Sequence, residues 1–150
     1  ATVILWKGHC SVHGRFTEQA VDDVRARIPD VNVLVHPECQ HEVVLKADFI
    51  GSTEFIIKTI QQADPGSKWA IGTELNLVDR LAKEVLPQNK IVQFMATTIC
   101  MCSTMQRIDP QHLAWTLENL VDGKVVNQIK VPEHEAVLAK LALDRMLAIS

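Results

Sequence analysis

Apolar positions along this chain follow two alternating periods. Short apolar runs at 3–6, 31–35, 49–50, 69–71, 91–95 and 125–131 are bounded by Gly, Pro, Asp or polar clusters, as strands are. Between them the apolar residues fall three and four apart, the spacing of one helix face. Val21, Val24 and Ile28 make the first such set, and Ile56, Ile57 and Ile60 the second. Leu77, Val78, Leu81 and Val85 follow, then Leu113, Leu117, Leu120 and Val121.

The punctuation between these segments agrees with them. Thr17 suits a helix cap, and Pro29-Asp30 stops the helix that follows. Residues 42–47 read as a short helix, 54–63 and 75–86 as longer ones, and Asp64-Pro65-Gly66-Ser67 as a turn. Asp109-Pro110 is a strong helix start, because Asp caps and Pro suits the first turn; Gly123 ends that helix. Pro132 opens a last helix with Glu133 and Glu135 in its first turn, where the dipole favours acids. Strands alternating with helices predict an α/β fold with a mainly parallel sheet. IGSTEFI at 50–56 and IGTELNL at 71–77 share the order strand, Gly, hydroxyl, Glu, helix, suggesting one βα unit used twice.

Composition narrows the picture without changing it. At 150 residues and 47% hydrophobic content the chain can bury one sizeable core, and no apolar run nears the ~20 residues of a membrane span. Net charge is −3, Tyr is absent and no basic stripe carries interleaved aromatics, so neither nucleic acid nor a membrane is an expected partner. Cysteines at 10, 39, 100 and 102 do not suggest a disulfide scaffold in a chain this rich in apolar material. Reduced thiols and a cytoplasmic location are expected, since nothing resembles an export signal. The chain opens on ATVILWKG without an initiator Met, as though cut at a strand.

In parallel α/β sheets ligands bind beyond the carboxyl ends of the strands. The polar residues gather at those predicted ends: Lys7 to Cys10, His36 to Cys39, Ser52-Thr53, Thr73-Glu74, and Cys100 with Cys102. VLVHPECQHE at 33–42 is the densest case, and its groups suit a metal site, an active site without metal, or a polar loop. His36 and Glu38 lie two apart and would share a face if extended, an arrangement fit for proton transfer or a structural hydrogen bond. Ser52 and Thr53, after Gly51, read as an anion site or a helix cap; for Thr73 the cap is the expected role. Any one of the cysteines is as readily a buried small hydrophobe as a ligand. His9, His41, His112 and His134 are expected to be plain surface residues, and His13, three after Cys10, is intermediate.

Taken together, WKGHCSVHGRFT (6–17), VHPECQHEVV (35–44), DFIGST (48–53), IGTELNLVDRL (71–81), Cys102 to Met105 and KVVNQI (124–129) resemble the C-terminal portion of quinolinate synthase, in order and over essentially the whole chain. The resemblance implies three similar αβα domains about a pseudo-threefold axis, and a [4Fe–4S] cluster used to condense iminoaspartate with dihydroxyacetone phosphate to quinolinate in NAD biosynthesis. It implies Cys10 and Cys102 as cluster ligands, with a third ligand upstream of this chain; Cys39 and the extra Cys100 are not expected to be ligands. It implies Glu38 and His36 as catalytic residues, with Glu38 as the acid/base, and Ser52, Thr53, His36 and His13 contacting substrate. Residues 1–99 would then be αβ domain material carrying the GHC, HPEC and GST motifs, and 100–150 a C-terminal segment with a cluster cysteine, a strand and a helix. An aspartate-oxidising enzyme supplying iminoaspartate is an implied partner, and the isolated chain is expected to be inactive. The rival expectations are a non-catalytic metal- or redox-sensing α/β module using Cys10, Cys100 and Cys102, indifferent to Glu38→Gln, and a simple phosphoester-binding domain indifferent to loss of every cysteine.

Overall fold

A computed structural model describes residues 2–4, 7–96 and 101–149. The chain divides into two compact units, 1–106 and 107–150, each taken by itself. The first unit alternates helix and strand: α1 (Glu18–Arg27), β1 (Asn32–Val35), α2 (His41–Lys46), β2 (Phe49–Ile50), α3 (Thr53–Gln62), β3 (Lys68–Gly72), α4 (Leu75–Val85) and β4 (Ile91–Phe94). The four strands form one wholly parallel sheet in the order β2-β1-β3-β4. The α/β class with a parallel sheet is therefore borne out.

Strand alternation sorts the core into two layers. Val33, Val35 and Ala70 face α1 and α2, meeting Val21, Val24 and Val43. Leu34, Trp69 and Ile71 face the other way, against Ile56 and Ile60 of α3 and Val78, Leu81 and Val85 of α4. This is a three-layer αβα arrangement, and β1, buried on both faces, is its centre. Sealing a side chain such as Leu34 or Ile71 completely contributes about 1.5–3 kcal/mol. The polar ends are tied as well. Thr17 caps α1 by accepting from the Ala20 amide. Asp48 accepts from the Val33 amide at 2.7 Å and from Arg25 at 2.9 Å, joining α1 to the start of the sheet. Lys90, almost wholly buried, donates to the carbonyls of Ile60 and Gln61 at the end of α3.

The second unit contains α5 (Pro110–Val121), capped by Asp109 as expected, and α6 (Glu133–Leu147). One expectation fails there. The run 125–131 is not a strand: Asn127 sits at φ 57°, which breaks an extended path, and the unit offers no strand among its described residues to satisfy its backbone. The face made by Leu113, Leu117, Leu120 and Val121 is exposed, so its period gives a helix without a buried side. Of the expected strand at 3–6, the part among the described residues is likewise not seen. Val3 and Ile4 are exposed and lie in no strand, and they have no neighbouring strand to reward extension; Leu5 and Trp6 lie outside the described residues. No helix among the described residues is long and apolar enough to cross a membrane.

Candidate functional site

From β1 the chain crosses by α2 to β2 on one side, then returns by α3 to β3 on the other. The sheet therefore changes direction between β1 and β3, and a parallel sheet opens a crevice beyond the carboxyl ends at such a point. The ladder continues one residue past β1, with the His36 amide donating to the Gly72 carbonyl at 3.1 Å. That bond sets His36 beside Thr73. Gly72 is needed for the approach, because a Cβ there would lie 3.0 Å from Val35 Cγ1 and 3.2 Å from Met95 Cε.

After His36 the chain turns instead of extending, closed by the Cys39 amide donating to the His36 carbonyl at 3.0 Å. The expectation that His36 and Glu38 share the face of an extended segment is thus corrected, although the turn still brings His36 Nδ1 within 3.8 Å of Glu38 Oε2. The Glu38 amide donates to His36 Nδ1 at 3.3 Å, which leaves the proton of the neutral ring on Nε2.

The closer partner of Glu38 comes from elsewhere. His13 begins a 3-10 turn, His13–Arg15, after the Cys10 loop. Its Nδ1 lies 3.0 Å from Glu38 Oε2 and its Nε2 lies 3.2 Å from Thr73 Oγ1, while its ring stacks on His36 at 4.3 Å with 14° between planes. Burial holds the His13 pKa below the ordinary 6.5 and the adjacent His36 adds to this; the hydrogen bond to Glu38 acts in the opposite sense.

Thr73 is not the expected cap. Glu74 caps α4, accepting from the amides of Asn76 and Leu77 at 2.8 and 3.3 Å, so the buried Thr73 hydroxyl is left to His13. Ser52 does cap, accepting from the Phe55 amide at 3.3 Å. Gly51 before it has no room for a side chain, since a Cβ would run into the Phe55 ring. Thr53 instead helps line a cavity of ≈ 430 Å³ with His13, Thr73, Glu74, Asn76, Leu77, Arg80 and Met105. A neighbouring opening is bordered by Gly8, His9, Cys10 and Glu38. Arg80 and Asn76 carried no sequence signal beyond a place on the first turns of α4. His9 lines an opening where a plain surface position was expected.

The thiols differ in character. Cys10 is half-buried, and its Sγ, a His13 ring nitrogen and a Glu38 oxygen all lie within 4.8 Å of one another, a grouping able to hold a metal ion. Cys102 stands outside that group, on the turn that leads to Met105 of the cavity. The Thr104 hydroxyl, 3.0 Å away, and then the Met105 amide hold its pKa below the ordinary thiol value, favouring the thiolate. Cys39 is the opposite case. It is buried, 3.5 Å from the Gly72 carbonyl, and burial pushes its pKa up to about 12, so it stays a thiol and makes a poor ligand. Cys100 lies outside the described residues. Of the expected site residues, Cys10, His13, His36 and Glu38 come together, Thr53 borders the same cavity, and Ser52 is occupied as a cap. His112 is exposed and bound to the Asp109 cap, and His134 is exposed on α6.

Comparison with known proteins places the chain in a family. Residues 1–148 match the family described as quinolinate synthetase A protein. A quinolinate synthase of Streptomyces coelicolor is 61% identical over 149 residues, covering 99% of this chain and 38% of the relative. The corresponding protein of a Nocardioides species is 60% identical (99% and 37%), and that of Geobacillus thermodenitrificans 53% (99% and 40%). The chain thus spans well under half the length of these relatives. With a match that runs almost from end to end, the chain belongs to the quinolinate synthase family.

Proposed function

We propose that this chain forms part of a cytoplasmic quinolinate synthase of NAD biosynthesis, built as three αβα domains about a pseudo-threefold axis, which condenses iminoaspartate with dihydroxyacetone phosphate. The observation that carries the reading is the convergence of Cys10, His13, His36 and Glu38 where β1 and β3 end, on a sheet whose topology opens there. Cys10 and Cys102 would hold a [4Fe–4S] cluster. They fit in kind: both are at least partly exposed, and Cys102 is biased towards the thiolate that such a cluster requires. When bound, the cluster supplies a Lewis-acidic iron able to polarise a substrate oxygen.

The chain's own residues do the rest. Glu38 serves as acid/base, because its carboxylate is half-exposed to the opening beside Cys10 and hydrogen-bonded to His13. Imine formation, carbon–carbon bonding and loss of two waters all need protons moved between substrate and such a carboxylate. His13, whose pKa burial lowers, shares a proton with Glu38 across the Nδ1 contact, and Thr73 holds its far nitrogen. His36 presents Nε2–H as a donor to substrate. Thr53, at the positive end of α3, suits the phosphate-bearing part of the substrate, and Ser52 before it can still donate its hydroxyl hydrogen there while its oxygen caps the helix. An aspartate-oxidising enzyme would supply the unstable imine. The relatives' greater length supports the view that this chain alone does not turn over.

Iron and sulfide content and absorption spectra, after anaerobic reconstitution of the chain and its Cys10→Ser and Cys102→Ser variants, test the ligand assignment. Loss of iron in either variant is expected. A cluster retained in both, or zinc as the only metal taken up, would overturn it.

A further inference from the structure

His13 is held in a way that a thiolate-coordinated cluster does not use. Its Nδ1 faces Glu38 and its Nε2 faces Thr73, and a ring nitrogen lies within 4.8 Å of Cys10 Sγ. A metal-binding histidine characteristically has its second nitrogen fixed by an outer partner, and a threonine hydroxyl can both donate and accept. With Glu38 ionised and no metal, Nδ1–H donates to Glu38 and Nε2 accepts from Thr73. If Nδ1 binds a metal, the ring proton moves to Nε2 and donates to the same hydroxyl. Neither tautomer leaves a buried ring nitrogen unpaired.

We propose that Cys10 Sγ, His13 Nδ1 and a Glu38 carboxylate oxygen form a mononuclear site for a borderline-soft divalent cation, zinc or cobalt(II), occupied when no cluster is held at Cys10. The site has one sulfur, one nitrogen and one oxygen donor, a set suited to tetrahedral zinc with the fourth position open to water. Its donors are already gathered within 4.8 Å, and the 3.0 Å His13–Glu38 contact shows that two of them converge before any metal arrives. His13 is 8% exposed, so its ring is set by the fold, while Cys10 and Glu38 face solvent enough for a cation to enter. Binding converts the Cys10 thiol to a thiolate and releases its proton to solvent. Because both species need Cys10, the mononuclear ion and the cluster exclude one another, and this cation would block assembly of the active enzyme.

The test is titration of the reduced, metal-free chain with cobalt(II), followed by displacement with zinc. Expected are one equivalent bound, thiolate-to-cobalt charge transfer and the visible bands of a tetrahedral ion. Cys10→Ser removes the charge-transfer band. Thr73→Val, close to isosteric, weakens affinity by about tenfold or more as an outer-shell loss, and His13→Gln and Glu38→Gln weaken it further. Circular dichroism of each variant separates lost binding from lost fold. Cys102→Ser keeps cobalt affinity while losing the cluster on reconstitution, which separates failure of this site from failure of the cluster assignment. No cobalt bound, affinity unchanged in folded His13→Gln and Glu38→Gln, or affinity lost in Cys102→Ser would each overturn the proposal.

Discussion

Lys90→Met is expected to destabilise the sheet domain by about 1–3 kcal/mol, the cost of leaving a buried carbonyl unpaired. Lys90 is 3% exposed, and its ammonium donates to Ile60 O at 2.9 Å and Gln61 O at 3.0 Å. Both carbonyls belong to the last turn of α3, where they have no partner within the helix and where a cation also meets the negative end of the dipole. Methionine keeps most of the stem and removes the charge. The loss is two charge-assisted hydrogen bonds at about 1.5–3 kcal/mol each, and the gain is relief from burying an ammonium, several kcal/mol. These nearly offset. Water can replace the ammonium at Gln61, whose bond is only part-buried, but not at Ile60. With about 2–4 °C per kcal/mol at this size, the melting temperature should fall by about 2–12 °C. Thermal and urea unfolding followed by circular dichroism measure this, with the urea slope unchanged if only stability has altered. A variant that melts at or above the parent temperature would refute the reasoning, since desolvation would then outweigh the capping.

Alkylation of the reduced, metal-free chain should label Cys102 early and Cys39 last, because Cys39 is 7% exposed with a pKa of about 12; peptide mapping by mass spectrometry decides, and early labelling at Cys39 would contradict its burial. His13 has a lower pKa folded than its ordinary 6.5, so the unfolded chain binds the extra proton. The stability His13 contributes is therefore fully present above 6.5 and is lost as the pH falls through the folded value. Urea midpoints across that window should fall in the parent more than in His13→Gln, and an NMR titration showing His13 protonating at or above 6.5 would remove the basis for this. Gly72→Ala should cost about 1–3 kcal/mol by overpacking, because the new methyl meets Val35 and Met95; an unchanged melting temperature would show that Met95 yields freely.

The sheet domain was legible in the sequence wherever the hydrophobic period and its punctuation were both local. Residues 42–47, 54–63 and 75–86 became α2, α3 and α4 within a residue or so, and the 31–35 run became β1. Val3, Ile4 and the run 125–131 misled for a shared reason. A strand gains stability from its neighbour, so an apolar run without a strand beside it has no cause to extend, whatever its composition. The exposed Leu113 and Leu117 show the same limit on a helix, where a period of 3.6 specifies a face without supplying the surface that covers it.

The site divides along a similar line. His36 and Glu38 were visible because they are neighbours in sequence, whereas His13 reaches Glu38 across 25 residues and Thr73 across 60. The pairing of β1 with β3 sets the two strand ends side by side, and burial of Val12 and Phe16 brings the turn that carries His13 onto them. The near-repeat shows how small a change redirects such a residue. After Gly51 the cap is the very next residue, Ser52, and its hydroxyl is spent on the Phe55 amide. After Gly72 the helix begins one residue later, so Glu74 takes the cap and the equivalent hydroxyl, Thr73, stays free within the crevice. A single-residue shift in a helix start thus turns a structural hydroxyl into the one that fixes His13. Moving the cap back onto Thr73 would take that hydroxyl from His13 even with every side chain of the site still present.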